Sequence, residues 1–340
     1  CAPVELSLGL RHTCARRAGG EVICWGRNQE SQLGDGRNRH ESCGGTGMPV
    51  DCSSAAVNVR FRGSAGNPVI EDATQITVEG FTGTCAVRPG EALWCWSTET
   101  VPIVAGGVPR VRSVAEPDPD FTSVRQASVS HSHACAVSTT GGSVTCVGTG
   151  EFGQLGDGTL AMSIVDPVAV MVTDPTARPL TGALEVQVSS GQFTCARTSS
   201  RVYCWGINDS HQLGDGDTTT HRACMSGTTE AYDCSPFGVP VGGGTPIGQV
   251  GDLDLGRAHA CAIVGPPGTP GQVVCWGDNS AGQCGQPDTV ESVGVPAAVP
   301  GVDDAVQVEV GIQHSCALRS SGRIACWGSN TLGQLGDGVT

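Results

Sequence analysis

Apolar and polar residues alternate over short stretches of this chain, and the pattern returns at intervals. The segments "VELSLG" at 4–9, "LDLG" at 253–256 and "VQVEVG" at 306–311 have the period of two that is typical of a β-strand. Segments with Pro and Val, such as "DPVAV" at 166–170 and "VPAAV" at 295–299, predict further short strands. The chain lacks the helical period of about 3.6 residues, so we expect an all-β protein.

A hairpin with two cysteines occurs six times. Each copy has a short strand, a loop with Gly or Ser, and a strand rich in Val, Ile, Tyr and Trp, which together indicate a β-hairpin. Three or four strands per repeat, arranged radially, are typical of a β-propeller. The sequence therefore predicts a single domain over residues 1–340 with six blades, seven being possible. The copies are "HTCARRAGGEVICWG" from 12, "GTCAVRPGEALWCWS" from 83, "HACAVSTTGGSVTCVG" from 133, "FTCARTSSRVYCWG" from 193, "HACAIVGPPGTPGQVVCWG" from 259 and "HSCALRSSGRIACWG" from 314.

The two cysteines of each copy occupy equivalent places on adjacent strands. Facing residues of an antiparallel pair lie within disulfide reach, so we predict one disulfide per blade. Buried free thiols are the alternative, and zinc is disfavoured because no Cys-x-x-Cys spacing occurs. Disulfides would indicate an oxidising compartment. The predicted pairs are Cys14–Cys24, Cys85–Cys95, Cys135–Cys146, Cys195–Cys204, Cys261–Cys275 and Cys316–Cys326.

Two similar insertions, at 38–53 and 219–235, interrupt the repeats after a Gly-Asp-Gly turn. We expect each to close its own disulfide, Cys43 with Cys52 and Cys224 with Cys234. A stapled surface loop costs less entropy to order on binding, which makes these loops candidate protein-binding surfaces. Protection of long loops from proteolysis is the alternative. The candidate contact residues are His40, Met48, His221 and Tyr232.

Two cysteines, Cys1 and Cys284, have no partner in this scheme. They could bond to each other, or Cys1 could bridge two chains or hold a lipid anchor. The chain begins with Cys rather than Met and shows no signal peptide, which suggests a processed or excised chain. No apolar segment is long enough to span a bilayer.

Other residues recur at fixed places in the repeats. Asn28, Asn208, Asn279 and Asn330 follow the second cysteine at a position where another copy has Gly150, so we expect a left-handed backbone there. Trp25, Trp205, Trp276 and Trp327 are predicted to pack between blades. His12, His133, His259 and His314 precede the first cysteine, but Gly83 and Phe193 replace them elsewhere, so we interpret them as structural. The "LGDG" turns lack the carboxylate spacing of a calcium loop.

The net charge of the chain limits the classes of molecule that it is expected to bind. The net charge is −14, from 33 acidic and 19 basic residues. This excess opposes binding to nucleic acid or to an anionic membrane and favours solubility and cationic partners.

These motifs, written "GxxHTCA…GxVxCWGxNxxGQLGDG", resemble the repeat of RCC1-like β-propellers, the regulator of chromosome condensation type. The similarity is greatest to cysteine-rich versions in secreted or surface-anchored bacterial proteins. Family propellers usually have seven blades, whereas six repeats occur here, and the second and third copies depart from the pattern at "CWSTET" and "CVGTGE".

The sequence does not predict an enzyme or a cofactor, because catalytic residue types occur only in scattered sets such as Glu30, Asp35 and His40. We expect a non-catalytic extracellular or cell-surface module that binds protein partners, with self-assembly through an exposed blade edge as one mode. The resemblance also implies an alternative, an inhibitor of a secreted enzyme such as β-lactamase, but few aromatic residues are available for such a surface. Nucleotide exchange on a small GTPase is disfavoured by the acidic, oxidised chain.

Overall fold

The computed structural model describes residues 2–9, 11–37, 39–43, 50–63, 66–78, 83–90, 92–98, 111–118, 121–161, 164–173, 176–217, 221–225 and 231–338. Over these ranges the chain is built from β-strands and turns, with no α-helix, which confirms the predicted all-β class. No helix in these ranges could cross a bilayer. The chain divides into two compact units, Cys1–Thr140 with Ile164–Pro167, and Gly141–Ser163 with Val168–Thr340.

The first unit contains two antiparallel sheets and a further hairpin. The first sheet has the order β1-β2-β3-β5-β4, and the second has the order β6-β7-β8-β9. Strands β10 and β11 form the hairpin. The strands are β1 Pro3–Leu8, β2 His12–Arg17, β3 Val22–Arg27, β4 Glu41–Cys43, β5 Val50–Asn58, β6 Gln75–Val78, β7 Thr84–Arg88, β8 Ala92–Thr98, β9 Val111–Pro117, β10 Val124–Val129 and β11 His133–Ser138.

The second unit contains three sheets. Strands β14 to β20 form a seven-stranded sheet, β21 to β24 a four-stranded sheet, and β25 to β27 a three-stranded sheet. Strand β13 crosses the division between the units. The strands are β12 Val144–Gly148, β13 Ile164–Ala169, β14 Met171–Val172, β15 Arg178–Pro179, β16 Ala183–Val188, β17 Phe193–Thr198, β18 Val202–Ile207, β19 Arg222–Met225, β20 Ala231–Pro240, β21 Val250–Leu255, β22 His259–Val264, β23 Gln272–Asp278, β24 Ser292–Ala298, β25 Ala305–Val310, β26 His314–Arg319 and β27 Ile324–Gly328.

The paired cysteines of the hairpins lie directly opposite each other. Cys14 faces Cys24 in the β2–β3 register, and Cys261 faces Cys275 in the β22–β23 register. Their Cα atoms are 4.1 Å apart in both disulfides. This is the close spacing of a facing antiparallel pair, so the strand register itself places the two sulfur atoms together. The same 4.1 Å separation holds for Cys85–Cys95, Cys195–Cys204 and Cys316–Cys326, and Cys135 and Cys146 are also disulfide-bonded.

A glycine two residues after the second cysteine bends five of the six hairpins. Gly26, Gly206 and Gly277 have φ of 106°, 106° and 101°, a backbone region that favours glycine. The register shifts at this point, for example between Cys275 and Gly277, which is a β-bulge that sharpens the strand twist. The second repeat departs from the pattern, because Ser97 takes the same place with φ of 88°.

The core lies between successive sheets. In the first unit the Cys14–Cys24 disulfide and Leu33 pack in one cluster with Ile76 and Trp96 of the next sheet. In the second unit the Cys261–Cys275 disulfide packs with Val308 of the following sheet. These two disulfides are therefore part of an interface between repeats as well as a link within one.

One prediction about the turns is wrong. Asn28, Asn208, Asn279 and Asn330 do not have positive φ, and the left-handed residue lies three positions later, at Ser31, His211, Gly282 and Gly333. The asparagine side chain instead stabilises the turn, since Oδ1 of Asn28 accepts a hydrogen bond from the Leu33 amide at 2.9 Å. Six blades and a single domain over 1–340 stay predictions.

Candidate interaction site

Both insertions form short β-hairpins on the outer strand of their sheets. In the first, β4 pairs with β5, so that Glu41 faces Cys52 and Cys43 faces Val50. In the second, β19 pairs with β20 in the matching register. We call the described parts of these hairpins, residues 39–43 with 50–53 and residues 221–225 with 231–235, the first and second stapled loops.

The staple cysteines sit diagonally across each loop rather than face to face. The Cα atoms of Cys43 and Cys52 are 5.9 Å apart, and those of Cys224 and Cys234 are 6.0 Å apart. The structure therefore brings together the cysteines of both predicted loop disulfides. Their geometry differs from that of the disulfides in the repeat hairpins, whose cysteines face each other directly.

A histidine between two aspartates anchors the first stapled loop to the repeat. Nε2 of His40 lies 2.9 Å from Oδ2 of Asp35 in the Gly-Asp-Gly turn, and Nδ1 lies 3.4 Å from Oδ2 of Asp51 in β5. Nδ2 of Asn28 donates to Asp51 at 2.8 Å. The His40 side chain is only 6% exposed, so this cluster fixes the base of the loop rather than its surface.

The second stapled loop repeats this arrangement. Nε2 of His221 lies 2.9 Å from Oδ2 of Asp215, and Nδ1 lies 3.2 Å from Oδ2 of Asp233. Nδ2 of Asn208 donates to Asp233 at 2.7 Å. We call each set an Asp–His–Asp clamp. The sequence analysis selected His40 and His221 as contact residues, whereas the structure uses both inside the clamps.

Charge holds the second clamp together. Burial lowers the pKa of His221, but the hydrogen bonds and negative charges of Asp215 and Asp233 outweigh burial and raise that pKa to about 9. The imidazole is therefore cationic at neutral pH and bridges two carboxylates. In the first clamp, burial raises the pKa of Asp51, and hydrogen bonds from His40 and Asn28 outweigh it and lower the pKa.

An aromatic contact supports the second stapled loop. The rings of Phe152 and Tyr232 meet edge to face, with centroids 5.5 Å apart, and both pack with the Cys224–Cys234 disulfide. Tyr232 was selected as a contact residue and is half-buried by this packing. Met48, the fourth selected residue, lies outside the described residues.

A pocket of about 220 Å³ lies beside the first stapled loop. Arg37, Asn58 and Arg60 provide polar side chains to its wall, together with Asp35 of the clamp. The matching positions in the second loop's sheet are Asp217, Pro240 and Gly242. The two stapled loops thus share a scaffold but differ in surface charge.

The recurring histidines that precede the first cysteine of a repeat have structural roles. Nε2 of His12 bonds the Thr84 hydroxyl at 2.8 Å and that of His259 bonds the Ser315 hydroxyl at 2.9 Å, each in the next repeat. Burial lowers the pKa of both histidines to about 4. In the described part of the chain, no group of three His, Cys, Asp or Glu side chains is arranged to hold a metal ion.

Cys284 is a free, buried thiol, and Cys1 lies outside the described residues. Burial raises the pKa of Cys284. Cys284 fills the apolar place held by Leu in other repeats, and the suggested bond between Cys284 and Cys1 stays a prediction.

The chain matches the family model of the regulator of chromosome condensation (RCC1) repeat at residues 4–32, 270–318 and 305–334. Pim1 of Schizosaccharomyces pombe is 24% identical over 98% of this chain and 60% of its own length. The human probable E3 ubiquitin-protein ligase HERC6 is 31% identical over 57% of this chain and 17% of its own length. The chain therefore spans less than two thirds of the length of these relatives.

Solved structures show the same fold. Prp20p of Saccharomyces cerevisiae has a TM-score of 0.70 at 17% identity, covering 99% of this chain and 74% of its own. Human WBSCR16 has a TM-score of 0.68 at 18% identity, covering 99% of this chain and 79% of its own. Together with the repeat matches, these similarities support an RCC1-like β-propeller.

Proposed function

We propose that this chain is a non-catalytic protein-interaction module that binds its partner through the two stapled loops. The observation that supports the proposal most is the double anchoring of each loop, by a disulfide within the hairpin and an Asp–His–Asp clamp at its base. A loop ordered before binding loses little entropy when a partner docks. The same pair of anchors occurs in both stapled loops, which favours a role in binding over mere protection of the loops from proteolysis.

The fold is compatible with this role. The Prp20p structure is described with binding properties to Gsp1p and histones, so an RCC1-like propeller can present protein-binding surfaces. Fold alone does not fix the partner. The pocket beside the first stapled loop, with Arg37 and Arg60 in its wall, favours a partner with exposed carboxylates, because guanidinium groups pair with carboxylates in two-pronged hydrogen bonds.

We also propose an oxidising, extracellular or cell-surface location in a bacterium. The support is the number of disulfide-bonded cysteines, which do not persist in a reducing cytosol. Inhibition of a secreted enzyme is less well supported. Among the described residues, the large apolar side chains that are exposed are all aliphatic, whereas tight inhibitory interfaces are enriched in Tyr and Trp.

Self-assembly through an exposed blade edge is a second proposed mode. An unpaired strand edge can accept a strand from another molecule.

Matched arginine variants test the loop proposal. The immobilised chain is exposed to extracellular fluid of the source organism, and captured proteins are identified for wild type, Arg37→Gln, Arg222→Gln and the control Arg257→Gln. All three arginines are exposed, and only Arg257 is outside the loops and the pocket. We expect Arg37→Gln or Arg222→Gln to abolish capture of a specific protein that Arg257→Gln still captures. Equal capture of this protein by all variants would show that the stapled loops do not form the binding interface.

A further inference from the structure

The pocket beside the first stapled loop lies where the Gly-Asp-Gly turn meets the end of β5. Its wall contains Asp35 and Arg37 from the turn, Asn58 from the end of β5, and Arg60 just beyond that strand. The amide of Arg60 donates to the carbonyl of Gly34 at 2.9 Å, which holds the two segments side by side. Two arginines from different segments of the chain therefore line one pocket, which we call the arginine pocket.

The backbone around Arg60 is fixed by the second repeat. The carbonyl of Arg60 accepts a hydrogen bond from the Ala115 amide of β9 at 2.7 Å, and the amide of Arg62 donates to the Ala115 carbonyl at 2.9 Å. The arginine pocket and β9 both belong to the first compact unit. The position of Arg60 is therefore set within one unit by a neighbouring strand.

The acidic group of the arginine pocket is already paired, whereas most arginine donors are not. Oδ1 of Asp35 accepts a hydrogen bond from the Arg37 amide at 3.0 Å, and Oδ2 lies 2.9 Å from Nε2 of His40. Nε of Arg37 is 3.8 Å from Oδ2 of Asp35, which is beyond hydrogen-bond distance. Nη1 of Arg60 donates to the Asn67 carbonyl at 2.8 Å. Within the described ranges, the other guanidinium N–H groups of the two arginines have no acceptor.

Matching positions in other repeats show that the fold does not require these two arginines. The backbone bond from the Arg60 amide to a glycine of the turn recurs in the third and fourth repeats, at 2.8 Å in both. Arg37 is the residue that directly follows the Gly-Asp-Gly turn. The residues at the two arginine positions are Thr159 and Met171 in the third repeat, and Asp217 and Gly242 in the fourth. Because the same backbone forms around these different side chains, the arginines are better explained by binding than by folding.

The net charge of the first repeat adds to the attraction of the arginine pocket for anions. Residues 1–62 contain eight arginines, no lysine and six carboxylates, so this segment is net positive. The whole chain, in contrast, has a net charge of −14. A positive pocket on an acidic protein raises the local concentration of negatively charged groups.

The chemistry of the pocket wall favours a carboxylate over a phosphate group. Guanidinium groups pair with either anion through two N–H donors. However, the carboxylate of Asp35 lies in the same wall. It repels a phosphate monoester, with nearly two negative charges at neutral pH, more strongly than a carboxylate with one. Ala56 and Val57 add apolar surface, which suits the methylene groups of an acidic side chain.

We propose that the arginine pocket binds a glutamate or aspartate side chain of the protein partner, with the carboxylate between Arg37 and Arg60. The inference rests on the proposed role of the stapled loops and specifies the chemistry of their partner, which carries an acidic peptide segment. Asp35 belongs both to the pocket wall and to the first Asp–His–Asp clamp. A partner docked on the first stapled loop is therefore next to the arginine pocket.

NMR of the arginine Nε–H groups tests this binding on the intact, oxidised, isotope-labelled chain. The probe is the peptide Gly-Glu-Gly, acetylated and amidated so that its only charge is the side-chain carboxylate. The equally blocked peptide Gly-Gln-Gly is the neutral control. We expect the glutamate peptide to shift the Arg37 and Arg60 resonances with a Kd of about 10 mM or below, the range of a single two-pronged ionic contact. The glutamine peptide should shift neither resonance.

Single arginine variants locate the bound peptide. Arg37→Gln and Arg60→Gln should each weaken binding of the glutamate peptide at least about fivefold, measured from the resonance of the remaining arginine. Arg62→Gln is the matched control, because it removes the same charge nearby but Arg62 is already paired with Glu116 at 3.0 Å. Arg37 and Arg60 are both exposed, so the variants should fold, and an unchanged backbone amide spectrum verifies this.

Four results would overturn the inference. The first is a glutamate peptide that shifts neither arginine resonance at about 50 mM. The second is an equal loss of binding in Arg62→Gln, which would reduce the effect to general attraction by positive charge. The third is tighter binding of inorganic phosphate than of the peptide, which would indicate a phosphate site. The fourth is tighter binding of acetate than of the peptide, which would mean that the pocket disfavours a peptide chain.

The capture experiment separates this inference from the proposed function. If Arg222→Gln abolishes capture and the glutamate peptide does not bind, only the inference about the arginine pocket fails. If the peptide binds through Arg37 and Arg60 but every variant captures the same proteins equally, only the loop proposal fails. Loss of both capture and peptide binding in Arg37→Gln, with both retained in Arg62→Gln, supports both proposals.

Discussion

The indole N–H of Trp276 donates to the backbone carbonyl of Gln212 at 3.0 Å, across the interface between two neighbouring repeats. Both residues are buried, at 0% and 3% exposure. A buried carbonyl that loses its donor costs more than an exposed one, because water cannot replace the bond. This contact therefore links the stability of one repeat to the packing of the next.

Removal of that donor should destabilise the protein. Trp276→Phe keeps an aromatic ring but leaves the Gln212 carbonyl without its donor, and we expect a loss of about 1–3 kcal/mol in the free energy of unfolding. Urea unfolding followed by circular dichroism measures the change. Trp25→Phe is the matched control, since the Trp25 indole makes no such bond in the described structure. Equal losses in both variants would contradict the assigned role.

The glycine after the tryptophan should tolerate no side chain. Gly277 has φ of 101°, and a Cβ there would lie 2.7 Å from the Cα of His259. We expect Gly277→Ala to cost about 3 kcal/mol or more. Gly268→Ala is the control, with φ of 74° and open space around a Cβ, and should cost about 1 kcal/mol from backbone strain alone. Thermal unfolding of the two variants side by side checks the difference.

The second Asp–His–Asp clamp should weaken at alkaline pH. The pKa of His221 is about 9 in the folded chain, above its ordinary value near 6.5. Its contribution is therefore fully present below about pH 6.5 and is lost as pH rises through about 9, amounting to about 1–2 kcal/mol after solvent screening. Imidazole NMR titration should show His221 titrating near 9.

Asp215→Asn provides the control for this titration. It removes one carboxylate partner, so the pKa of His221 should move back towards 6.5. A wild-type pKa near 6.5, or no change on substitution, would contradict the clamp.

The inner strand β21 should also lose stability as pH rises, but over a lower pH range. Burial, together with the negative charges of Glu185 and Glu309, raises the pKa of Asp252 to about 6, although the hydrogen bond from the Val308 amide and the charge of Arg197 lower it. Oδ2 of Asp252 accepts that hydrogen bond from the Val308 amide at 2.8 Å. Asp252 loses its proton at a lower pH in the unfolded chain than in the folded chain. Its contribution to the free energy of unfolding is therefore full below about pH 4 and is lost as pH rises to about 6.

Asp252→Asn retains an acceptor for the Val308 amide without titrating. We expect the variant to be more stable than wild type at pH 7 and the difference between them to shrink towards pH 4. Chemical unfolding at a series of pH values measures this, and a difference that is constant across the series would contradict the raised pKa.

The strands, cysteine pairs and packed tryptophans of the repeats could be predicted from the sequence because each depends on a short-range pattern. The strand around Val308, the facing Cys14 and Cys24, and the packing role of Trp276 all follow from local alternation and from a motif repeated in register. The clamps were missed because Asp51 and Asp233 lie far along the chain from Asp35 and Asp215. A signal was present, since both insertions have an Asp, a His and a second Asp in the same order.

The turn prediction failed for a different reason. Asn and Gly share tolerance for a left-handed backbone, but Asn also has a side-chain acceptor, and at Asn28 the bond to the Leu33 amide decides its role.

The central claim is that the cysteines are joined pairwise within repeats and stapled loops, and peptide mass spectrometry without reductant tests it most directly. The chain is alkylated under denaturing conditions, digested and searched for linked peptides. We predict Cys14–Cys24, Cys43–Cys52, Cys195–Cys204 and Cys224–Cys234 linkages, with Cys284 alkylated. Alkylated thiols at those paired positions, or linkages between different repeats, would contradict the account.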